Sequence, residues 1–251
     1  MEPGFMHVLH IAMNARREEI YQFLYKNLGG RVNSGPFAGM LLTEQVSWGG
    51  GDVGPKVLGC YEAELHNAVT RAVQRNPGIV INVGCAEGYY AIGLARLLPK
   101  VEVFAFDLDE KGQQTCRLNA QANSVGDRVM VGGECTILHL EELLRRPGRK
   151  LLLIDCEGGE LGLLNPSQVP GMEMCDIIVE CHDFMNRAIT PTLVSHFSST
   201  HTIEQVSEGA RNPNMFPILQ GWQSNDRWLA VNENRPETMR WLMCWSTIDT
   251  P

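Results

Sequence analysis

Between residues 79 and 180 the chain switches repeatedly between two periods, and this alternation restricts its fold more than any other feature. Residues 79–83, 101–106, 129–131, 151–154 and 176–180 are short β-rich apolar runs. Residues 89–98 and 111–123 lie between the first three and carry apolar side chains at helical spacing; 137–145 is helix-like in the third link. Repetition of this kind builds an open parallel sheet with helices on both faces. The link 155–175 is punctuated by Gly158, Gly159, Gly162, Pro166, Pro170 and Gly171, so any helix there must be short. After residue 200 the alternation stops. Residues 202–206 and 228–231 read as two more strands, joined by 207–227, which has no helical period. The expected fold is α/β, a central and mostly parallel sheet with an antiparallel C-terminal strand pair.

Two helical segments precede the sheet. One covers 14–28, with Ile20, Phe23, Leu24 and Leu28 on its apolar side and Asn14 as a candidate cap. The other covers 60–75, with Leu65, Ala68, Val69 and Ala72. Between them 29–59 is glycine-rich and includes Gly49-Gly50-Gly51. This divides the chain into a helical, Gly-rich N-terminal cap or lid (1–59) and a main domain (60–251). Residues 5–13 are apolar but short, interrupted by His7 and His10 and preceded by Glu2, so they do not read as a leader. No apolar run approaches the roughly 20 residues that span a bilayer. With 29 Asp and Glu against 21 Lys and Arg, the net charge of −8 argues against a nucleic-acid or anionic-membrane binder. None of the eight cysteines is spaced as CxxC, and several sit inside apolar runs. Free thiols without a leader predict the cytoplasm.

The chemistry concentrates at strand ends. Residues 79–88 form a buried strand that ends at Gly84, turns through Cys85, Ala86 and Glu87, and enters a helix at Gly88. Ligands of open α/β sheets sit at such a turn, and a helix start offers free N–H groups to an anionic group. The spacing is Gly-x-x-x-Gly. The dinucleotide fingerprint fails at the second glycine, the one that admits a pyrophosphate, so a cofactor without a pyrophosphate fits better. The next strand ends in Asp107-Leu108-Asp109. An acid about 20 residues past the turn is placed to accept from ribose hydroxyls; Asp107 directly follows the apolar run, and Asp109 reads as the cap of the following helix.

These segments resemble class I S-adenosylmethionine-dependent methyltransferases, and more closely the FkbM-type family. The matching residues are Val83-Gly84-Cys85-Ala86-Glu87-Gly88-Tyr89-Tyr90, then Ala105-Phe106-Asp107, Asp155-Cys156-Glu157-Gly158-Gly159-Glu160, and Val179-Glu180-Cys181-His182. The resemblance covers about residues 60–185. Asn82 stands where most members have Asp, and Asp107 where many have Glu. The resemblance implies a Rossmann-like fold and a cofactor pose. Gly84, Cys85, Ala86, Glu87 and Gly88 run under the amino-acid portion and sugar, Asp107 holds the ribose, Leu108 packs on adenine, Glu134 and Cys135 meet the adenine edge, and Asp155 faces the methionyl amino group. Tyr61 and Glu62 resemble the family's Tyr-Glu segment, as cofactor contacts or helix caps.

Methyl transfer needs alignment more than covalent help, because the sulfonium is already electrophilic. A hydroxyl acceptor gains from a base, and His182 should open into the same crevice as Asp155, with Asp183 orienting it or accepting from substrate. A competing arrangement gathers Asp155, Glu157, Glu160, His182 and Asp183 around a divalent metal such as Mg²⁺. The expected activity is O-methylation of a small metabolite of sugar or polyketide type, with N-methylation and a non-catalytic cofactor-binding module as alternatives. The expected partner is a small-molecule acceptor, no nucleic acid is expected, and a homo-oligomer is left open. Segments 29–59 and 207–227 are expected to wall the acceptor pocket, with Arg211, Asn212 and Trp222 touching the acceptor. His139, His196 and His201 are expected to be structural or on the surface. Trp228, Trp241 and Trp245 are expected to pack in the core.

Overall fold

Seven strands form one sheet in the order β3-β2-β1-β4-β5-β7-β6. They are β1 Ile79–Val83, β2 Glu102–Phe106, β3 Val129–Gly132, β4 Lys150–Ile154, β5 Cys175–Cys181, β6 His201–Ser207 and β7 Arg240–Ser246. The computed structural model describes residues 3–43 and 52–248. The first five strands pair in parallel, while β7 runs antiparallel to both β5 and β6. The described helices are α1 Pro3–Asn27, α2 Val53–Leu58, α3 His66–Gln74, α4 Tyr89–Leu97, α5 Glu110–Ala122, α6 Ile137–Leu144, α7 Glu160–Leu163, α8 Ile189–Phe197 and α9 Ser224–Ala230.

The apolar runs form strands because both faces of the sheet are covered. Every residue of β1, β4 and β5 is buried, and each core Val, Leu or Ile contributes about 1.5–3 kcal/mol by leaving water. One core layer joins Val80, Val103 and Leu151 to α1, α3 and α4. The other joins Ile81, Leu152 and Ile177 to α6 and α8. Asp109 caps α5 as expected, accepting from the backbone N–H of Lys111 and Gly112. The chain leaves β1 toward β2 and β3 on one side and returns to β4 on the other. The reversal opens a crevice at the carboxyl ends of β1 and β4.

Four expectations differ from the structure near the ends of the chain. The last strand is Arg240–Ser246, and 228–231 belongs to the end of α9 and its exit. A four-residue apolar run has no period that separates strand from helix. Here only one side of it is covered: Ala230 and Val231 are buried and Trp228 is half exposed, whereas Trp241 and Trp245 are buried in β7. The stretch 207–227 is also not structureless. It holds two 3₁₀ turns, Pro213–Met215 and Pro217–Leu219, and the start of α9. At the other end, α1 begins at Pro3 rather than residue 14. The segment 60–75 is a 3₁₀ turn, Ala63–Leu65, followed by α3.

Of the Gly-rich segment, Val32, Phe37, Met40 and Leu42 are buried in the core. The Phe37 ring packs edge-on against Tyr89 and Tyr90. Gly49-Gly50-Gly51 lies outside the described residues. The three histidines expected to be structural are so: His139 closes the cap of α6, His196 bonds the Leu164 carbonyl and His201 that of Cys175. All eight cysteines are free thiols, and all but Cys156 are buried.

Candidate active site

The first β-strand turn is built on backbone. Gly84 has φ +75°, and a Cβ there would lie 1.5 Å from the carbonyl oxygen of Asp155. No side chain fits, so the turn and the end of β4 touch through their main chains; the Asp155 N–H also donates to the Val83 carbonyl at 2.9 Å. Gly88 has φ +89° and faces Cys116 and Ile92, so α5 closes onto it. Both glycines serve contacts within the protein. Asp107 at the end of β2 ties the turn down. One carboxylate oxygen accepts from the Ala86 N–H at 2.6 Å and the other from the Asp109 N–H at 2.8 Å. Each oxygen retains a further lone pair for a donor.

Above this turn lies a cavity of about 710 Å³. Val83, Gly84, Ala86 and Glu87 contribute from β1 and its turn, Phe106, Asp107 and Leu108 from β2, and Gly133, Glu134 and Cys135 from the exit of β3. Asp155, Cys156, Glu157 and Glu180 come from the ends of β4 and β5. Of the residues expected at the cofactor, Cys85 and Gly88 are not among those lining the cavity; they shape the turn beneath it. Glu87 lines the cavity but is bound to Lys56, which also pairs with Asp52 at 2.6 Å.

The opposite wall consists of side chains from distant segments. Arg235, on the connection from α9 to β7, donates to Glu180 at 2.6 Å, to Glu233 at 3.3 Å and to Glu62. Glu62 also accepts from the Tyr90 hydroxyl, and Arg235 lies over the Tyr61 ring. Acids outnumber the guanidinium here. Burial, with Glu62 and Asp155 adding repulsion, pushes Glu180 well above the usual carboxylate range. Burial raises Glu233 to about 7 against the pull of Arg211 and Arg235. Burial, then the charge of Glu62, raises Asp155 to about 7, although His182 and Arg235 oppose this.

His182, expected to open into the crevice with Asp155, is buried and does not itself line the cavity; Asp155 and Glu157 stand between it and the cavity space. Its Nδ1 meets Glu160 at 2.5 Å, and its Nε2 lies 3.5 Å from Asp155 and 3.4 Å from Glu157. Burial lowers its pKa, but the Glu160 hydrogen bond and the charges of Asp155, Glu160 and Glu157 together outweigh burial and raise it. The residue that orients His182 is therefore Glu160. Asp183 turns away and accepts from the Thr190 N–H and hydroxyl and from Arg240. Asp155, Glu157 and His182 bring one potential ligand atom each within 4.8 Å of one another. Glu157 holds φ +49°, a strained conformation for a residue with a side chain, of the kind that concentrates at functional sites.

The expected acceptor wall is placed differently. Asp52 and Lys56 from the N-terminal segment line the cavity, but Arg211, Asn212 and Trp222 do not. Arg211 pairs with Glu64 and Glu233, Asn212 caps a 3₁₀ turn, and Trp222 packs edge-on against Phe23. The wall is instead Glu233, Asn234, Arg235 and Pro236. The sequence did carry a signal for it. The apolar run 240–246, as an antiparallel partner of β5, places its polar lead-in at the carboxyl end of β5. The register pairs Cys181 with Arg240.

No protein-family model matches the chain, and no curated protein matches it in sequence. Among the described residues, no helix is long and apolar enough to cross a membrane. Solved structures are similar to it. A candidate O-methyltransferase from Klebsiella pneumoniae aligns at 14% identity with a TM-score of 0.51, over 93% of this chain and 90% of that one. A Bacillus cereus O-methyltransferase in complex with SAH aligns at 12% identity, TM-score 0.48, over 92% and 90%. The tomaymycin-synthesis O-methyltransferase TomG of Streptomyces achromogenes, in complex with SAM, aligns at 12%, TM-score 0.47, over 71% and 78%. The Klebsiella structure covers nearly the whole of both chains, and with the strand order above it shows the fold: the chain has the Rossmann-like fold of class I methyltransferases, a mostly parallel seven-stranded sheet with an antiparallel C-terminal pair.

Proposed function

We propose that the protein transfers a methyl group from S-adenosylmethionine to a hydroxyl of a small metabolite, of sugar or polyketide type, as an FkbM-like enzyme. The observation that carries this reading is one cavity whose floor is the Gly84 turn with Asp107 and whose far wall is acidic. The floor suits a ribose, and the wall, with Glu180, Glu233 and Asp155 around Arg235, suits a ligand that carries a sulfonium and an ammonium. In this pose Asp107 accepts from the ribose hydroxyls on its remaining lone pairs. Leu108, exposed at the rim, covers the adenine, with Glu134 and Cys135 at its edge. Asp155 faces the amino group. Gly84 and Ala86 pass beneath the sugar, while Cys85, Glu87 and Gly88 hold the turn in shape.

S-adenosylmethionine supplies the methyl group on an electrophilic sulfonium. The chain holds the acceptor oxygen in line and removes its proton. With Nδ1 held by Glu160, Nε2 of His182 faces the two cavity acids, and we assign it the acceptor's proton, passed on by the Asp155 or Glu157 carboxylate that lines the cavity. Asp183 contributes by fixing the start of α8. The donor set Asp155, Glu157 and His182 also favours a second reading, a divalent metal such as Mg²⁺, whose charge would lower the pKa of the acceptor hydroxyl; a histidine beside two carboxylates suits Mn²⁺ as well. Residues 1–59 act as a cap on the 60–251 domain, and the cytoplasm is the compartment this reading assigns. N-methylation and cofactor binding without turnover remain the competing readings.

Isothermal titration with S-adenosylmethionine and its demethylated product tests the proposal, followed by an acceptor screen for demethylated-cofactor release. Binding of both is expected; binding of neither overturns it, and binding without turnover on any acceptor favours the non-catalytic module. Chelator that abolishes turnover, with recovery on adding Mg²⁺ or Mn²⁺, selects the metal reading. Turnover unaffected by chelator but lowered roughly 10²–10⁴-fold in His182→Ala selects the histidine.

A further inference from the structure

Glu233, Asn234 and Arg235 also line a second cavity, of about 410 Å³, which shares no other residue with the first. Its size suits a small ligand. The helix α1 forms part of its wall. His10, Asn14 and Arg17 fall on one helix face and are linked: Asn14 Nδ2 lies 2.9 Å from Nε2 of His10, and Asn14 Oδ1 accepts from Arg17 at 3.0 Å. Arg17 is 9% exposed. Among the described residues it meets no carboxylate within ion-pair distance, and its side-chain partner is the neutral Asn14 amide. A cation withdrawn from water in this way is costly until an anion meets it. The other charged groups of the wall are occupied: Arg211 and Arg235 hold Glu233, Glu237 meets Arg187 at 2.6 Å, and Glu208 accepts from the Met239 N–H at 3.3 Å. From α9 the Trp228 side chain also lines the cavity. It is 52% exposed, and among the described residues its ring lies against no other aromatic ring or cation.

We propose that this second cavity binds a small hydroxylated ring that carries an acidic group, as a sugar acid or a sugar phosphate does, with the acid on Arg17 and a ring face on Trp228. The two requirements narrow the ligand together. A neutral sugar leaves the guanidinium without a counter-charge, and a small aliphatic acid leaves the aromatic face bare. A guanidinium presents paired N–H groups that match the oxygens of a carboxylate or a phosphate. The C–H face of a saturated ring is apolar and packs on an indole, while its hydroxyls point sideways to polar groups. The amides of Asn232 and Asn234, which line the same cavity, supply donors and acceptors for them. The site goes beyond the methyl-transfer reading and does not rest on it.

Ligand-observed NMR titration of the full chain with glucuronate, glucose 6-phosphate and glucose, each to about 20 mM, tests it. At least one acidic probe should bind roughly tenfold or more tightly than glucose, and the preference between the two tells a carboxylate from a phosphate. Arg17→Gln should reduce the acidic probes to the affinity of glucose. Trp228→Ala should weaken every probe that binds by about threefold or more. Trp228 is half exposed, so its replacement keeps the fold, and with it the test, even where the Arg17 variant does not fold. Circular dichroism checks both variants. Binding of neither acidic probe overturns the proposal, as does glucose binding as tightly as both. Acidic-probe binding that is unchanged in a folded Arg17→Gln, or in Trp228→Ala, places the ligand elsewhere and overturns it as well.

Discussion

The two walls of the cavity are built in opposite ways. The floor, the Gly84 turn after β1 and Asp107 after β2, is held by main-chain contacts: a glycine where no Cβ fits, and a carboxylate bonded to two backbone N–H groups. The far wall consists of side chains, Glu180, Glu233 and Arg235, with Glu62 bound to Arg235 behind it, brought together from three segments at least fifty residues apart and held by charge. A main-chain wall tolerates changes in pH and fails on a change in volume. A charged wall does the reverse: it depends on protonation, and removing its cation exposes acids that burial already strains.

The largest effect is expected at the charged wall. Arg235→Met leaves Glu62, Glu180 and Glu233 without their shared cation and should cost about 3–5 kcal/mol of stability at pH 8. Glu180 and Glu233 have raised pKa values in the folded protein, so they protonate as pH falls and the loss should shrink toward pH 5. Urea denaturation at both pH values checks this; a loss equal at pH 5 and pH 8 would mean that Arg235 acts by packing instead.

Gly84→Ala should cost about 2–3 kcal/mol, through the clash with the Asp155 carbonyl and the positive φ, and should be independent of pH. The same denaturation series measures it, and a strong pH dependence would contradict the contrast between the walls. Asp107→Ala should weaken S-adenosylmethionine binding by about 1–3 kcal/mol through lost charge-assisted hydrogen bonds. Calorimetric affinity equal to that of the unmodified protein would remove Asp107 from the ribose.

The smallest effect joins the two walls at Asp155. Its carboxyl is raised to about 7 by burial and by the charge of Glu62, and a cationic ligand favours the ionised form. Cofactor affinity should therefore rise about tenfold from pH 6 to pH 8, with proton release on binding. In Asp155→Asn that rise should disappear. The same group lowers stability as pH rises from its unfolded value toward 7, because the folded protein binds the extra proton. The Asn variant should therefore melt higher than the unmodified protein at pH 8, by about 2–4 °C.

Features that depend on local period and local stereochemistry are legible in the residues alone. The five parallel strands, the Gly84 turn, Asp107 at the end of β2 and the Asp109 cap are each written within a few consecutive residues, so their spacing alone places them. Tertiary structure decided the rest. Residues 228–231 and 240–246 are both apolar runs with aromatic residues. Only the space beside β5 selected the second as the strand, because Trp241 and Trp245 can be buried there and Trp228 cannot. That choice set Glu233 and Arg235 against the cavity and moved Arg211 and Trp222 away from it. Independently of that choice, the fold sets Glu160, not the adjacent Asp183, against His182. Contacts between residues far apart in the chain leave no periodic trace in it, since their energy comes from burial and charge pairing that exist only once the sheet has closed around them.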